Sequence, residues 1–156
     1  MANEISTAGI KVYYAVETTA GTRPTTGYTQ IPGVKGTPDF NESPESLDVT
    51  DLSDTTYRRS IPGLIPAGDS QALRANLTSA FKTAWDALVT ASETAKASNK
   101  ATWFEICIPT FESFYFAGVP TPLGVSAFEV GQVAEIDAYV TPNQVAGWAT
   151  ASTKSP

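Results

Sequence analysis

The chain has 156 residues, 16 acidic against 10 basic side chains for a net charge of −6, a single cysteine and no histidine. That balance excludes a disulfide scaffold, tight neutralisation of a phosphate backbone by a basic patch, and the Ser-His, Cys-His and histidine-zinc schemes of hydrolysis. A hydrophobic share of 42% with 11 Gly and 11 Pro fits one globular domain, residues 1–156, built from short strands and many turns. The first residues carry no basic and apolar leader pattern, and no run of about 18 apolar residues occurs, so the expectation is a chain made in the cytosol, soluble and without a membrane partner.

In chain order, Ile10, Val12, Tyr14 and Val16 alternate with Lys11, Tyr13, Ala15 and Glu17, which predicts a half-buried first strand. Residues 18–27 are turn-rich, and 28–34 form an extended run broken at Pro32-Gly33. The segment from Asp39 to Asp54 holds Asp39, Glu42, Glu45, Asp48, Asp51 and Asp54 with no Lys or Arg, and continues through Arg58 and Arg59 to Pro62-Gly63-Leu64. A long like-charged stretch cannot pack as core, so residues of about 39–68 are predicted to form an extended arm that reaches a partner. Ala72, Arg74 and Asn76 alternating with Leu73, Ala75 and Leu77 predict a further strand.

The period then changes. Phe81, Ala84, Trp85, Leu88, Ala91 and Ala95 recur at steps of three and four, predicting one amphipathic helix of about 79–98, capped by Thr78 or Ser79, whose face of Phe81, Trp85 and Leu88 packs on a sheet. Strand patterns follow at 102–108, around Phe114 and Phe116, and at 133–140, with Pro109, Pro120, Pro122, Gly124, Gly131 and Pro142 expected to cut them into short antiparallel segments. Cys107 reads as a small strand residue. The tail of about 150–156 loses apolar density and is expected to be mobile. The predicted fold is mainly β, an antiparallel β-sandwich with one flanking helix and a long extended loop.

Chemistry is sparse. There is no phosphate-cradling or dinucleotide glycine loop. The arm's acids stand three apart, where a calcium loop needs alternate ligands and a central glycine. No catalytic, metal or cofactor-binding residues are expected. Glu105, Glu135 and Asp137 are the only candidates for a two-carboxylate glycosidase, and a solvated sheet face explains them more simply.

Ile31-Pro32-Gly33-Val34, the acidic run, Leu47-Asp48-Val49-Thr50-Asp51-Leu52-Ser53-Asp54, Arg58-Arg59, Ile61-Pro62-Gly63-Leu64 and Gly68-Asp69, in this order and followed by a strand and a helix, resemble the major tail (tail tube) proteins of long-tailed, non-contractile bacteriophages. The resemblance covers about residues 10–99, and beyond it only strand pattern is matched. It implies a virion protein, assembled in the bacterial host cytoplasm, whose β-sandwich protomers close into hexameric rings. The rings stack into a hollow tube through which DNA passes without specific binding. It also implies partners: the chain itself, the tape measure protein, the tail terminator, and distal tail or initiator proteins. A stacking contact would fall to the arm: Asp39, Glu42, Glu45, Asp48, Asp51, Asp54, Arg58, Arg59 and Leu64, with the arginines, joined by Arg74, pairing carboxylates at a neighbour's surface. Glu105, Glu135 and Asp137 would include lumen-facing acids that repel passing DNA. Tyr13, Trp103, Tyr115, Tyr139 and Trp148 leave open a different class, a carbohydrate-binding or adhesive β-sandwich.

Overall fold

A computed structural model describes residues 4–66 and 69–154. Over the described residues the fold is mainly β with a single helix. In chain order the strands are β1 (Lys11–Val16), β2 (Thr29–Gln30), β3 (Val34–Gly36), β4 (Ser46–Asp48), β5 (Ser60–Pro62) and β6 (Gln71–Asn76), then the helix α1 (Ser79–Ala97), then β7 (Thr102–Cys107), β8 (Ser113–Pro120) and β9 (Glu135–Ala149). Seven of the strands form one antiparallel sheet in the order β2-β1-β7-β8-β9-β6-β3, and β4 and β5 pair apart from it as a ribbon.

The sheet is strongly curled, and the chain itself proves it. β2 and β3 lie on opposite edges, and seven strands laid flat would separate those edges by about 29 Å at ~4.8 Å per step. Yet Gln30 and Val34 are four residues apart, a span of at most about 14 Å. Ile31 N–H donates to Val12 O at 2.9 Å on one edge, and Gly33 O accepts from Asn76 N–H at 3.1 Å on the other. The Pro32-Gly33 break that the sequence marked is therefore the bridge across the mouth of the curl, and it takes the buried Ile31 into the core.

The helix fills the concave side. Thr78 is extended, with φ −125° and ψ 163°, and its side chain accepts the Phe81 N–H, so the helix starts where its first free donors find a partner. Phe81, Trp85, Leu88, Ser92 and Ala95 are buried at steps of three and four. Of these, Phe81, Trp85 and Leu88 meet Val12, Leu73, Ala75, Phe104, Ile106, Phe116, Ile136, Ala138 and Val140 from the sheet in one core. Burying Phe81 or Leu88 contributes about 1.5–3 kcal/mol each. Trp85 spends its one donor on Thr121 O at 2.9 Å. The helix stops at Asn99, whose φ of 57° turns the chain out of the helical path.

β9 is one strand of 15 residues, longer than the 133–140 segment expected and continuous through Pro142. Residues 135–140 pair with β6, and 140–149 pair with β8. Pro142 sits opposite Gly118, beside a register irregularity of β8, where a missing N–H does little harm. Gly118 is what permits the close crossing: a Cβ there would stand 2.7 Å from Val140 Cγ1 and 2.8 Å from Thr141 O.

The convex face holds a second, smaller cluster of Ala15, Tyr28, Trp103, Tyr115 and Ala117. The chain's end closes it. Residues 150–154, expected to be mobile, are bonded down: Tyr115 donates to Thr150 O, Ser152 N–H and hydroxyl donate to Glu105, and Lys154 donates to Glu105 and bridges to Tyr28. Residues 155 and 156, like Gly68 at the expected end of the arm, lie outside the described residues.

Candidate functional site: a projecting ribbon

The arm begins at an anchor that sequence reading overlooked. Phe40 packs at 4.7 Å from the Phe116 ring and 5.5 Å from the Phe114 ring, so the segment leaves the body from a fixed point. Beyond it the chain pairs with itself. Leu47 stands opposite Ile61, with Ser46 opposite Pro62 and Asp48 opposite Ser60. The ladder is extended by Glu45 N–H to Leu64 O at 3.0 Å and Val49 N–H to Arg59 O at 2.9 Å. At the tip, Asp51 N–H and Asp54 Oδ2 (3.0 Å) and Ser53 N–H and Asp51 Oδ1 (2.8 Å) tie a compact turn.

Three of the arm's six acids, Asp48, Asp51 and Asp54, find their arginines within the chain. Arg58 Nη2 meets Asp48 at 2.8 Å, and Arg59 spans the tip, reaching Asp51 at 2.9 Å through Nη2 and Asp54 at 2.8 Å through Nε. Arg74 is not in the arm at all: on β6, it shares Glu135 with Lys35. The Thr50 hydroxyl and N–H, with Arg58, pull Asp48 down to about 2; Ser53, with Arg59, holds Asp51 below the ordinary carboxyl range, and the Asp51 N–H, with Arg59, does the same for Asp54. Exposed pairs of this kind are screened by water and stabilise little. They set the ribbon's register and leave its association to other groups.

Those other groups are apolar, although the stretch was read from its charge alone. Leu47, Val49, Leu52, Tyr57, Ile61, Leu64 and Ile65 are all exposed, Tyr57 and Leu64 each at 82%. Leu47 and Ile61 share one face because they are directly opposed. The alternation was present in the sequence as Leu47-x-Val49 and Ile61, but the density of acids around it masked the signal. A second exposed apolar segment, Val125, Phe128, Val130 and Val133, lies between β8 and β9 and was not singled out from the sequence.

Of the three candidate acids, Glu135 and Asp137 stand two apart on β9 and line one pocket with Arg74, and Glu105 is not brought to them. Glu105, on β7, has no solvent exposure and is level with Tyr115, while Glu135 and Asp137 belong to the part of β9 that pairs with β6. Burial acts most strongly on Glu105 and would raise its pKa, but the bonds from Lys154 and Ser152 together outweigh it and hold the carboxyl below its ordinary value. A buried, paired Glu105 can neither line a solvated surface nor work with Glu135 as a glycosidase pair. Of the five aromatics offered to a sugar, Trp103 and Tyr115 are buried, and Tyr139 and Trp148 stay exposed.

Among the described residues, no group of Cys, Asp or Glu is placed to hold a metal ion, and no helix is long and apolar enough to cross a membrane. No family model matches the chain, and no curated protein matches its sequence.

Proposed function

We propose that the chain is a structural subunit that polymerises through its ribbon, building stacked, sixfold rings into a tail tube of a long-tailed phage. The carrying observation is the ribbon itself: two short strands with an opposed Leu47 and Ile61, held in register by their own ion pairs and left exposed to solvent. An isolated two-stranded ribbon is marginally stable, and exposed apolar side chains on such an element mark a contact surface. A projecting element that fits a different surface of the next copy makes a head-to-tail contact, which grows into an open filament. In this reading the curled sheet and helix are a sandwich-like tube module in the virion. The tape measure, terminator and distal tail proteins meet the tube inside and at its ends. DNA is kept from sticking by the net charge of −6. Asp137 remains the candidate lumen acid, since Glu105 is buried and Glu135 is neutralised by Lys35 and Arg74.

The test is light-scattering mass against concentration for the full chain and for a variant in which residues 46–63 are replaced by a two-residue turn, a gap that the Glu45 to Leu64 hydrogen bond already brings close. Growth in the first and a constant monomer mass in the second support the reading; equal growth in both removes the ribbon from it.

A carbohydrate-binding module has one observation in its favour, a groove of about 490 Å³ that sets Trp148 and Phe114 beside Asp39 and Asn41. Saturable quenching of tryptophan emission by a glycan would favour it.

A further inference from the structure

Between the last turns of α1 and the sheet lies a pocket of about 270 Å³, lined by Ser92, Lys96, Asn99, Lys100, Thr102 and Asn143 among others. We infer that it is a binding site for a small oxyanion, of the class of phosphate or a carboxylate. Its charged groups are two ammonium groups, and the NH2 groups of two side-chain amides and two hydroxyls can also donate. Neither Lys96 nor Lys100 has a carboxylate within ion-pair distance among the described residues. Glu17, whose Oε1 takes the N–H of Ala101 at the pocket's wall, is itself occupied, with Oε2 accepting from Gly21 N–H at 2.7 Å.

A lysine in the last helical turn is ordinary, because it offsets the negative end of the helix. That account leaves two facts unexplained. The carbonyls it would serve are already capped: Ala95 O accepts from Ser98 and Lys100 N–H, and Lys96 O from Asn99 N–H. And Thr102, one of the lining residues and 3% exposed, has a hydroxyl with no hydrogen-bond partner. A buried hydroxyl left unpaired is costly and calls for an acceptor. An oxyanion is an acceptor that suits both lysines as well. The volume holds a tetrahedral ion with a few waters, at ~30 Å³ per water. The site stands whether or not the chain polymerises.

Equilibrium dialysis of the full chain against labelled inorganic phosphate, at constant ionic strength set with chloride, tests it. Saturable binding near one ion per chain is expected, weakened about tenfold or more in K96Q/K100Q, weakened less in T102V, and unchanged in K82Q, which alters the same helix away from the pocket. Thermal melts of the same variants establish that they are folded. Absence of saturable binding, or the same affinity in K96Q/K100Q, overturns the inference. Where phosphate binds, its effect on light-scattering mass names the natural source: a falling mass identifies a carboxylate of a second copy competing for the pocket, and a constant mass identifies a free ion.

Discussion

Lys154 reaches back across 49 residues to place its ammonium on Glu105, a carboxylate with no solvent exposure, with Tyr13 stacked 4.5 Å below it. The pair fastens the chain's end over the convex cluster. Its two members are not equivalent, because Lys154 keeps 24% of its side chain exposed and Glu105 none. In E105Q the lysine swings to water, and the loss is about 1–3 kcal/mol. In K154M a carboxylate stays buried without its countercharge, and the loss is about 3–5 kcal/mol. Urea unfolding of both variants checks the order, and a larger loss in E105Q contradicts it.

Acid should loosen the same fastening. Glu105 is held below its ordinary pKa in the folded chain, so the stability it contributes is fully present above the unfolded value of 4.5 and is lost as pH falls through the lower folded value. Glu135, lowered by Lys35 and Arg74, works in the same direction. Stability measured from pH 7 downward is expected to hold until near 4.5 and then decline, with a shallower decline in E105Q. An identical acid limb in E105Q would show that the pair does not contribute to it.

The crossing of β8 and β9 rests on a missing side chain. G118A forces a Cβ against Val140 and the Thr141 carbonyl, and is expected to cost about 1–3 kcal/mol as overpacking. Gly124, with nothing within 4 Å of such a Cβ and no positive φ, is the control: G124A should melt at or slightly above the parent. Equal melting temperatures would contradict the close approach.

At the helix start, T78A removes the acceptor for Phe81 N–H, at 3.1 Å, and should cost about 1 kcal/mol. T78S, which keeps the hydroxyl, should restore most of it. Thermal melts separate the two.

Periodicity made the helix and the strands β1, β6 and β7 legible to within a residue or two, since each buries one side of a regular pattern. What it could not carry was long-range closure. Nothing local says that Ile31 and Gly33 bond to opposite edges of one sheet, or that Pro142 lies inside a strand, because both depend on how far the sheet curls. Glu105 was read as a solvated residue because its partners, Ser152 and Lys154, are 47 and 49 residues away. In the ribbon, the acids were legible and their arginine partners were adjacent, but the even acidic spacing concealed the apolar pairs that they flank.

The most direct measurement is negative-stain electron microscopy of the full chain at rising concentration, beside L47D/I61D. Both substitutions fall on exposed positions, so the monomer should stay within about 0.5 kcal/mol of the parent stability. The account expects rings or hollow tubes from the parent and dispersed monomers from the variant. Tubes of equal length from both, or a parent that stays monomeric at every concentration, would contradict it.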